Sequence, residues 1–160
     1  MMRMVDSLNR VVLAALPDRR NPPVRVECVT CHRGSPVPQT LATVLSELID
    51  KFGVDSAIAR YRALRQDMAS GRYDFSEQSV NELARRLAER GKTAEAVSML
   101  QMNQEFYPNS PQIDFMLAEL YLKRGERDKA IERYRAVLAR QPNNPQAKRR
   151  LDELGAKPPG

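Results

Sequence analysis

The stretch EQSVNELARRLAERGKTAEAVSMLQMNQEFYPNS, residues 77–110, runs directly into PQIDFMLAELYLKRGERDKAIERYRAVLARQPNN, residues 111–144. Placed one above the other, the two stretches align small or turn-forming residues at four positions: Ala84 with Ala118, Gly91 with Gly125, Ala96 with Ala130, and Pro108 with Pro142. Small alanines let two antiparallel helices approach closely, glycine permits the turn between them, and proline closes the second helix. This spacing therefore predicts stacked helix pairs and an all-α fold.

The aligned positions resemble the tetratricopeptide repeat family over about residues 76–154. Tyr121 and Tyr134 are expected to fill the large apolar positions of the second unit, where the first unit has Leu87 and Leu100. The resemblance implies an α-solenoid of helix pairs with a groove that binds a peptide or a partner protein. Packing within a larger complex is an equally open use of such a stack.

The segments that flank the two units also predict helices. Residues 40–51 and 54–67 form a predicted helix pair, in which AIARYR at 57–62 echoes AIERYR at 130–135. Gly53 lies one residue closer to its alanine than Gly125 does, so residues 40–75 are interpreted as a helical connector and a degenerate repeat. Two repeats at 76–143 follow, and 144–160 is predicted to hold a capping helix, 146–154, and a frayed tail.

The amino-terminal segment 1–39 carries a different signal. Cys28-Val29-Thr30-Cys31-His32 contains both cysteines and the single histidine of the chain, which is the attachment pattern of a c-type haem. Two thiols three positions apart can each add to one vinyl group of a porphyrin, and the following imidazole can bind the iron. Cys28 and Cys31 are therefore predicted to form thioethers to one haem, with His32 as the proximal iron ligand.

Three other interpretations of the same residues lack a component. A thioredoxin-like redox pair expects a βαβ setting, whereas Arg33-Gly34-Ser35-Pro36-Val37-Pro38 indicates a turn and an extended run. A structural zinc site needs a fourth ligand, which would have to be a carboxylate. A disulfide across CxxC leaves His32 unexplained.

The haem iron also needs a sixth ligand. Since His32 is the single histidine, a methionine is the natural candidate within this chain. Met1, Met2 and Met4 lie on a predicted amphipathic helix, residues 1–16, whereas Met68, Met99, Met102 and Met116 fall in the helical pairs and are expected to fill core.

Composition and charge limit the remaining function classes. The chain has 160 residues and a net charge of +6, with six arginines against three acidic residues in segment 1–39. A basic surface there could steer an acidic redox partner, or be only a solvated surface. No basic stripe with aromatic residues indicates nucleic-acid binding, and no glycine-rich phosphate loop or nucleophile–histidine pair indicates nucleotide or hydrolytic chemistry.

The amino-terminal segment resembles one haem-binding segment of the multihaem cytochrome subunit of photosynthetic reaction centres and related bacterial c-type cytochromes. The residues that carry this likeness are MMRMVDSLN at 1–9 and VECVTCHRGSPVP at 26–38. The resemblance implies that Met1 is the distal haem ligand, with Met4 as the alternative. Because covalent haem attachment normally takes place outside the cytoplasm, we expect a periplasmic or other extracytoplasmic protein, whose chain is interpreted as mature or amino-terminally shortened. The resemblance also implies contact with other cytochrome or membrane electron-transfer subunits.

Taken together, the sequence predicts a monohaem electron carrier, not an enzyme, fused to a short array of tetratricopeptide-like repeats that contact protein. The main alternative is a repeat scaffold in which the haem is absent or vestigial. A peroxide-dependent haem enzyme would need a polar distal group, and no second histidine can supply it.

Overall fold

The computed structural model of the protein describes residues 2–15, 26–27, 39–67 and 71–156. Helices and turns account for all of the regular structure in these ranges, with no strand among them. A short helix α1 continues into a π-helical turn, Leu8–Val12, and a 3₁₀ turn, Leu13–Ala15. The helices are α1 (Met2–Ser7), α2 (Leu41–Phe52), α3 (Val54–Gln66), α4 (Glu77–Glu89), α5 (Thr93–Phe106), α6 (Pro111–Lys123), α7 (Arg127–Arg140) and α8 (Pro145–Glu153).

The predicted period appears directly in the helix bounds. Both helices of the pair α6–α7 begin and end 34 residues after their counterparts in α4–α5, and α8 begins 34 residues after α6. Successive pairs pack on one another: α2 contacts α4, α3 contacts α5, α5 contacts α6, and α8 covers α7. The array therefore consists of three stacked pairs and one terminal helix over the described range 41–153.

Local signals explain where these helices start. Ser110 and Asn144 precede α6 and α8, and their side-chain oxygens accept hydrogen bonds from first-turn backbone amides of those helices. Pro111 and Pro145 occupy the first helical position, where no backbone amide hydrogen is needed. The capping residue and the proline that follows it therefore set the first residue of α6 and of α8.

The turns inside the pairs depend on glycine. Gly91 and Gly125 have φ of +80° and +76°, a left-handed conformation that glycine adopts without a Cβ penalty. Gly53 has φ of +85° and is the single residue between α2 and α3. The turn of the first pair is therefore shorter than the three-residue turns of the other two, which accompanies the closer spacing of Gly53 and Ala57 in the sequence.

The core is a continuous layer of apolar side chains between the helices. The four aligned alanines are fully buried, and so are the large residues beside them, Leu87, Leu100 and Tyr134. Tyr121 is also buried, as are Met99 and Met102, which confirms their predicted role as core residues. Met116, also predicted to fill core, is only partly buried, and Met68 lies outside the described residues. In the first pair Ala57 and Tyr61 occupy the same kind of position, with no exposed surface.

One buried position of the array is ionic. Asp114 of α6 is 1% exposed, and its carboxylate accepts hydrogen bonds from Arg133, Arg140 and Gln104 at 3.1, 2.9 and 2.8 Å. The position 34 residues earlier, Val80, is an equally buried valine. The second unit therefore uses an ion cluster to join α5, α6 and α7 where the first unit uses apolar contact.

Candidate protein-binding surface

The residues predicted to bind a haem fall mostly outside the described ranges. Cys28, Cys31, His32 and Met1 are among the residues that the structure does not describe, so these predictions stay predictions. Met4 is described and is 53% exposed. Among the described residues, Met4 therefore lies at the surface, whereas Met99 and Met102 are buried in the core.

One contact joins the two halves of the amino-terminal segment. The Asn9 side chain donates to the Val26 carbonyl at 2.6 Å and accepts from the Val26 backbone amide at 2.7 Å. This two-point pairing holds the backbone two residues before Cys28 against the helical turns that follow Met4.

The repeat array leaves one apolar strip partly accessible on α6. Phe115, Met116 and Leu122 are partly buried, whereas Ile113, Leu117 and Tyr121 on the opposite side of the helix are buried. Polar residues complete the accessible side of the helix. We call this accessible side of the helix the α6 strip. It consists of the three apolar residues and three polar ones: Gln112, Phe115, Met116, Glu119, Leu122 and Lys123.

Polar contacts join the α6 strip to the two helices that follow it. Glu119 of the α6 strip pairs with Arg150 of α8 at 2.8 Å and accepts a hydrogen bond from the Tyr134 hydroxyl. Burial, reinforced by that carboxylate, raises the pKa of Tyr134. The phenol thus stays protonated as a donor, and Glu119 ties α6 to both α7 and α8.

On α4 the exposed side is an ion-pair cluster. Glu82 accepts hydrogen bonds from Arg85 and Arg86 at 2.7–2.9 Å, and these lower the pKa of Glu82 to about 2. Arg85 also pairs with Glu89. The exposed side of α4 therefore carries charges of both signs that are already paired within the helix.

A pocket of about 540 Å³ lies where successive units begin. Its walls come from the start of α4, the α5–α6 loop, the first turns of α6 and α8, and the end of α7. Phe106, Tyr107 and Phe115 supply aromatic surface, and Glu77 supplies a carboxylate. We call this the Glu77 pocket.

A polar network that the sequence did not predict holds Glu77 in place. The Glu77 side chain accepts hydrogen bonds from Ser110 and Asn81, and its backbone carbonyl accepts one from Asn103. Asn103 is fully buried at the position where the second unit has Val137. An asparagine at an apolar position of the repeat was the signal in the sequence that could have pointed to this network.

The described ranges lack a cluster of metal-ligating side chains. No group of three or more histidine, cysteine, aspartate or glutamate side chains is placed there to hold a metal ion. Within the same ranges, no helix combines the length and hydropathy needed to cross a membrane.

Comparison with known proteins identifies the repeat. Residues 87–151 match the tetratricopeptide repeat family, which confirms the repeat part of the predicted resemblance. The crystal structure of PcrH in complex with the chaperone binding region of PopB is similar at 17% sequence identity and a TM-score of 0.44, covering 72% of this chain and 89% of that chain. The comparison with curated proteins gave no match.

Proposed function

We propose that this chain is a protein-interaction module whose α6 strip binds a segment of a partner protein. The observation that carries the proposal is the partial exposure of Phe115, Met116 and Leu122 on the first helix of the last pair. Accessible apolar side chains bordered by charged residues are typical of binding surfaces. This surface favours the scaffold alternative over electron transfer as the role of the repeats themselves.

Peptide display on the intact chain tests this proposal. Random peptides are selected against the protein, and the affinity of the selected peptides is measured by fluorescence anisotropy. Met116→Glu places a charge in the apolar strip and is expected to weaken binding by at least about tenfold, a typical effect for a central interface residue.

A matched variant controls for the added charge. Ala63→Glu introduces the same side chain at an exposed position of α3, outside the α6 strip, and is expected to leave affinity within about twofold. Circular dichroism verifies that both variants fold. If the selection enriches no peptide, or if Met116→Glu and Ala63→Glu bind alike, the α6 strip is not the binding surface.

A second candidate function belongs to the segment 1–39. We propose that Cys28, Cys31 and His32 hold one haem c, because two thiols and an imidazole at this spacing are the donor set that covalent haem attachment needs. Two observations in the described residues support this. Asn9 holds Val26 close to the motif, and Met4 remains exposed.

The residues of this segment would have distinct roles. Cys28 and Cys31 would anchor the haem, His32 would bind the iron, and Met1 or Met4 would be the opposite ligand. When bound, haem c supplies one-electron transfer, with the surrounding chain setting burial and ligation. The arginines of segment 1–39 would favour an acidic redox partner, and covalent haem attachment would put the protein in the periplasm or another extracytoplasmic location.

Covalent haem is directly measurable. The chain is exported together with haem-maturation machinery, and a denaturing gel is stained for haem beside oxidised and reduced visible spectra. We expect stain on the denatured wild-type chain and none on a Cys28→Ala, Cys31→Ala double variant. A colourless wild-type chain would refute the haem proposal while leaving the interaction proposal intact.

The distal ligand needs a separate comparison. Met1 and Met4 are replaced one at a time by leucine, with Met102→Leu as a control in the buried core. Loss of the low-spin spectrum in one variant identifies the ligand, because in this proposal the methionine at the sixth position keeps the iron low-spin. Unchanged spectra in both would exclude methionine ligation at these positions.

A further inference from the structure

We infer that the Glu77 pocket binds a basic side chain, arginine or lysine, of the partner segment. The inference rests on the proposed interaction function and names the chemistry of its partner. Glu77 is the one charged residue among the described residues that line this pocket. The other lining residues are neutral: Phe106, Tyr107, Pro108, Asn109, Ser110, Pro111, Gln112, Phe115, Gln141, Asn144 and Gln146.

The Glu77 carboxylate is held by neutral groups and lacks a cation. Its Oε1 accepts hydrogen bonds from the Ser110 hydroxyl at 2.7 Å and from the Asn81 amide at 3.1 Å. Within the described ranges, Glu77 belongs to no ion pair. Among the described residues, the Glu77 carboxylate is therefore held in place by neutral groups without a paired cation.

The nearby guanidinium of Arg140 does not fill that role. It reaches the pocket wall by donating to the Pro108 carbonyl at 3.0 Å, but its charge faces the buried Asp114 carboxylate at 2.9 Å. Arg140 therefore has a carboxylate partner other than Glu77, which remains the charged residue in the lining of the pocket.

The apolar walls of the pocket strengthen the attraction between the Glu77 carboxylate and a cation. Phe106, Tyr107, Phe115 and two prolines present apolar surface around the carboxylate, and attraction between opposite charges grows as the surroundings become less polar. Aromatic rings also favour cations over neutral groups. The volume of about 540 Å³ is ample for one long basic side chain and a stretch of backbone.

The rim suits the backbone of an extended segment. Asn109, Gln112, Gln141, Asn144 and Gln146 carry side-chain amides that can donate to and accept from peptide groups. Asn144 already uses its side-chain oxygen to cap α8. Because Phe115 and Gln112 also belong to the α6 strip, a partner segment on that strip can place a basic side chain beside Glu77.

The test uses two blocked tripeptides that differ in charge and hardly in shape. N-acetyl-Gly-Arg-Gly-amide and its citrulline counterpart are titrated into the full ¹⁵N-labelled chain, and backbone amide shifts of Asn109, Gln112 and Gln146 are followed. We expect the arginine peptide to bind at least about fivefold more tightly, a gain typical of a partly desolvated carboxylate and aromatic walls.

Two variants assign the preference to one carboxylate. Glu77→Gln keeps an oxygen that can accept from both Ser110 and Asn81, so the network survives while the charge is lost. It is expected to bind the two peptides equally. Glu132→Gln removes an exposed carboxylate of α7 outside the Glu77 pocket and is expected to retain the preference.

The outcomes separate this inference from the proposed function. Equal binding of both peptides to the wild type, no shift at up to about 20 mM peptide, or a preference that persists in Glu77→Gln would each overturn the inference. Displayed peptides that depend on Met116 would still support the interaction module. Failure of the display selection alone would instead count against the α6 strip.

Discussion

Replacing Asp114 by valine is predicted to destabilise the array far more than a typical surface substitution. The Asp114 carboxylate is 1% exposed, and Arg133 and Arg140 around it are 27% and 33% exposed. Valine leaves both guanidinium groups partly buried without a countercharge. Removing one partner from a buried ion pair costs about 3–5 kcal/mol.

The partial exposure of the two arginines reduces that figure. Water can solvate part of each guanidinium after the carboxylate is gone, so we expect a loss of about 2–3 kcal/mol in the free energy of unfolding. Urea denaturation of the intact chain, followed by far-ultraviolet circular dichroism, measures it. With a slope of about 1–3 kcal/mol per molar urea, the midpoint falls by about 0.7–3 M.

The repeat itself supplies the decisive second variant. The residues 34 positions before Asp114, Arg133 and Arg140 are Val80, Met99 and Phe106, which form an apolar set in the preceding unit. Transplanting them gives D114V/R133M/R140F, which leaves no charge unpaired at this position. Because apolar replacement of a whole buried ion cluster is often neutral or stabilising, this variant is expected to recover wild-type stability within about 1 kcal/mol.

Asp152→Val, at an exposed position of α8, is the control and is expected to shift the free energy of unfolding by less than about 0.5 kcal/mol. An unchanged midpoint for D114V would mean that the buried carboxylate contributes nothing to stability. A triple variant as unstable as D114V would show that unpaired charge is not the cause of the loss.

Three further predictions concern the array. Gly125→Ala is expected to lower the free energy of unfolding by about 1 kcal/mol, because φ is +76° although no atom lies within 4 Å of an added Cβ; an unchanged melting temperature would contradict this. Ser110→Ala removes the cap of α6 and the hydroxyl donor to Glu77. We expect the free energy of unfolding, measured by urea denaturation, to fall by about 1 kcal/mol. A variant as stable as wild type would refute the capping role. Glu82 has its pKa lowered to about 2 by hydrogen bonds from Arg85 and Arg86, so its stabilising contribution is present above the ordinary pKa of 4.5 and is lost as pH falls towards 2. The melting temperatures of wild type and Glu82→Gln should accordingly differ more at pH 7 than at pH 2, and a constant difference would be inconsistent with this shift.

Local signals were sufficient to predict the helices of the array. A cap residue followed by proline marks the starts of α6 and α8, and the 34-residue spacing of alanines and glycines predicts the helix pairs, because these signals act within a few residues. The starts of α4, α5 and α7 carry no side-chain cap, so their bounds come from the structure, as does the single-residue turn at Gly53. The CxxCH motif is likewise a local pattern, and its haem remains a prediction from sequence.

Only the tertiary structure decided which polar residues meet. Asp114, Arg133 and Arg140 are far apart along the chain and look like ordinary charges of amphipathic helices, but packing of α6 on α7 buries one and brings the others to it. Glu77 and Ser110 approach because one unit stacks on the next. The sequence determines helix positions because those depend on neighbouring residues, whereas the ion cluster and the Glu77 pocket depend on distances between helices, which arise only when the helices pack.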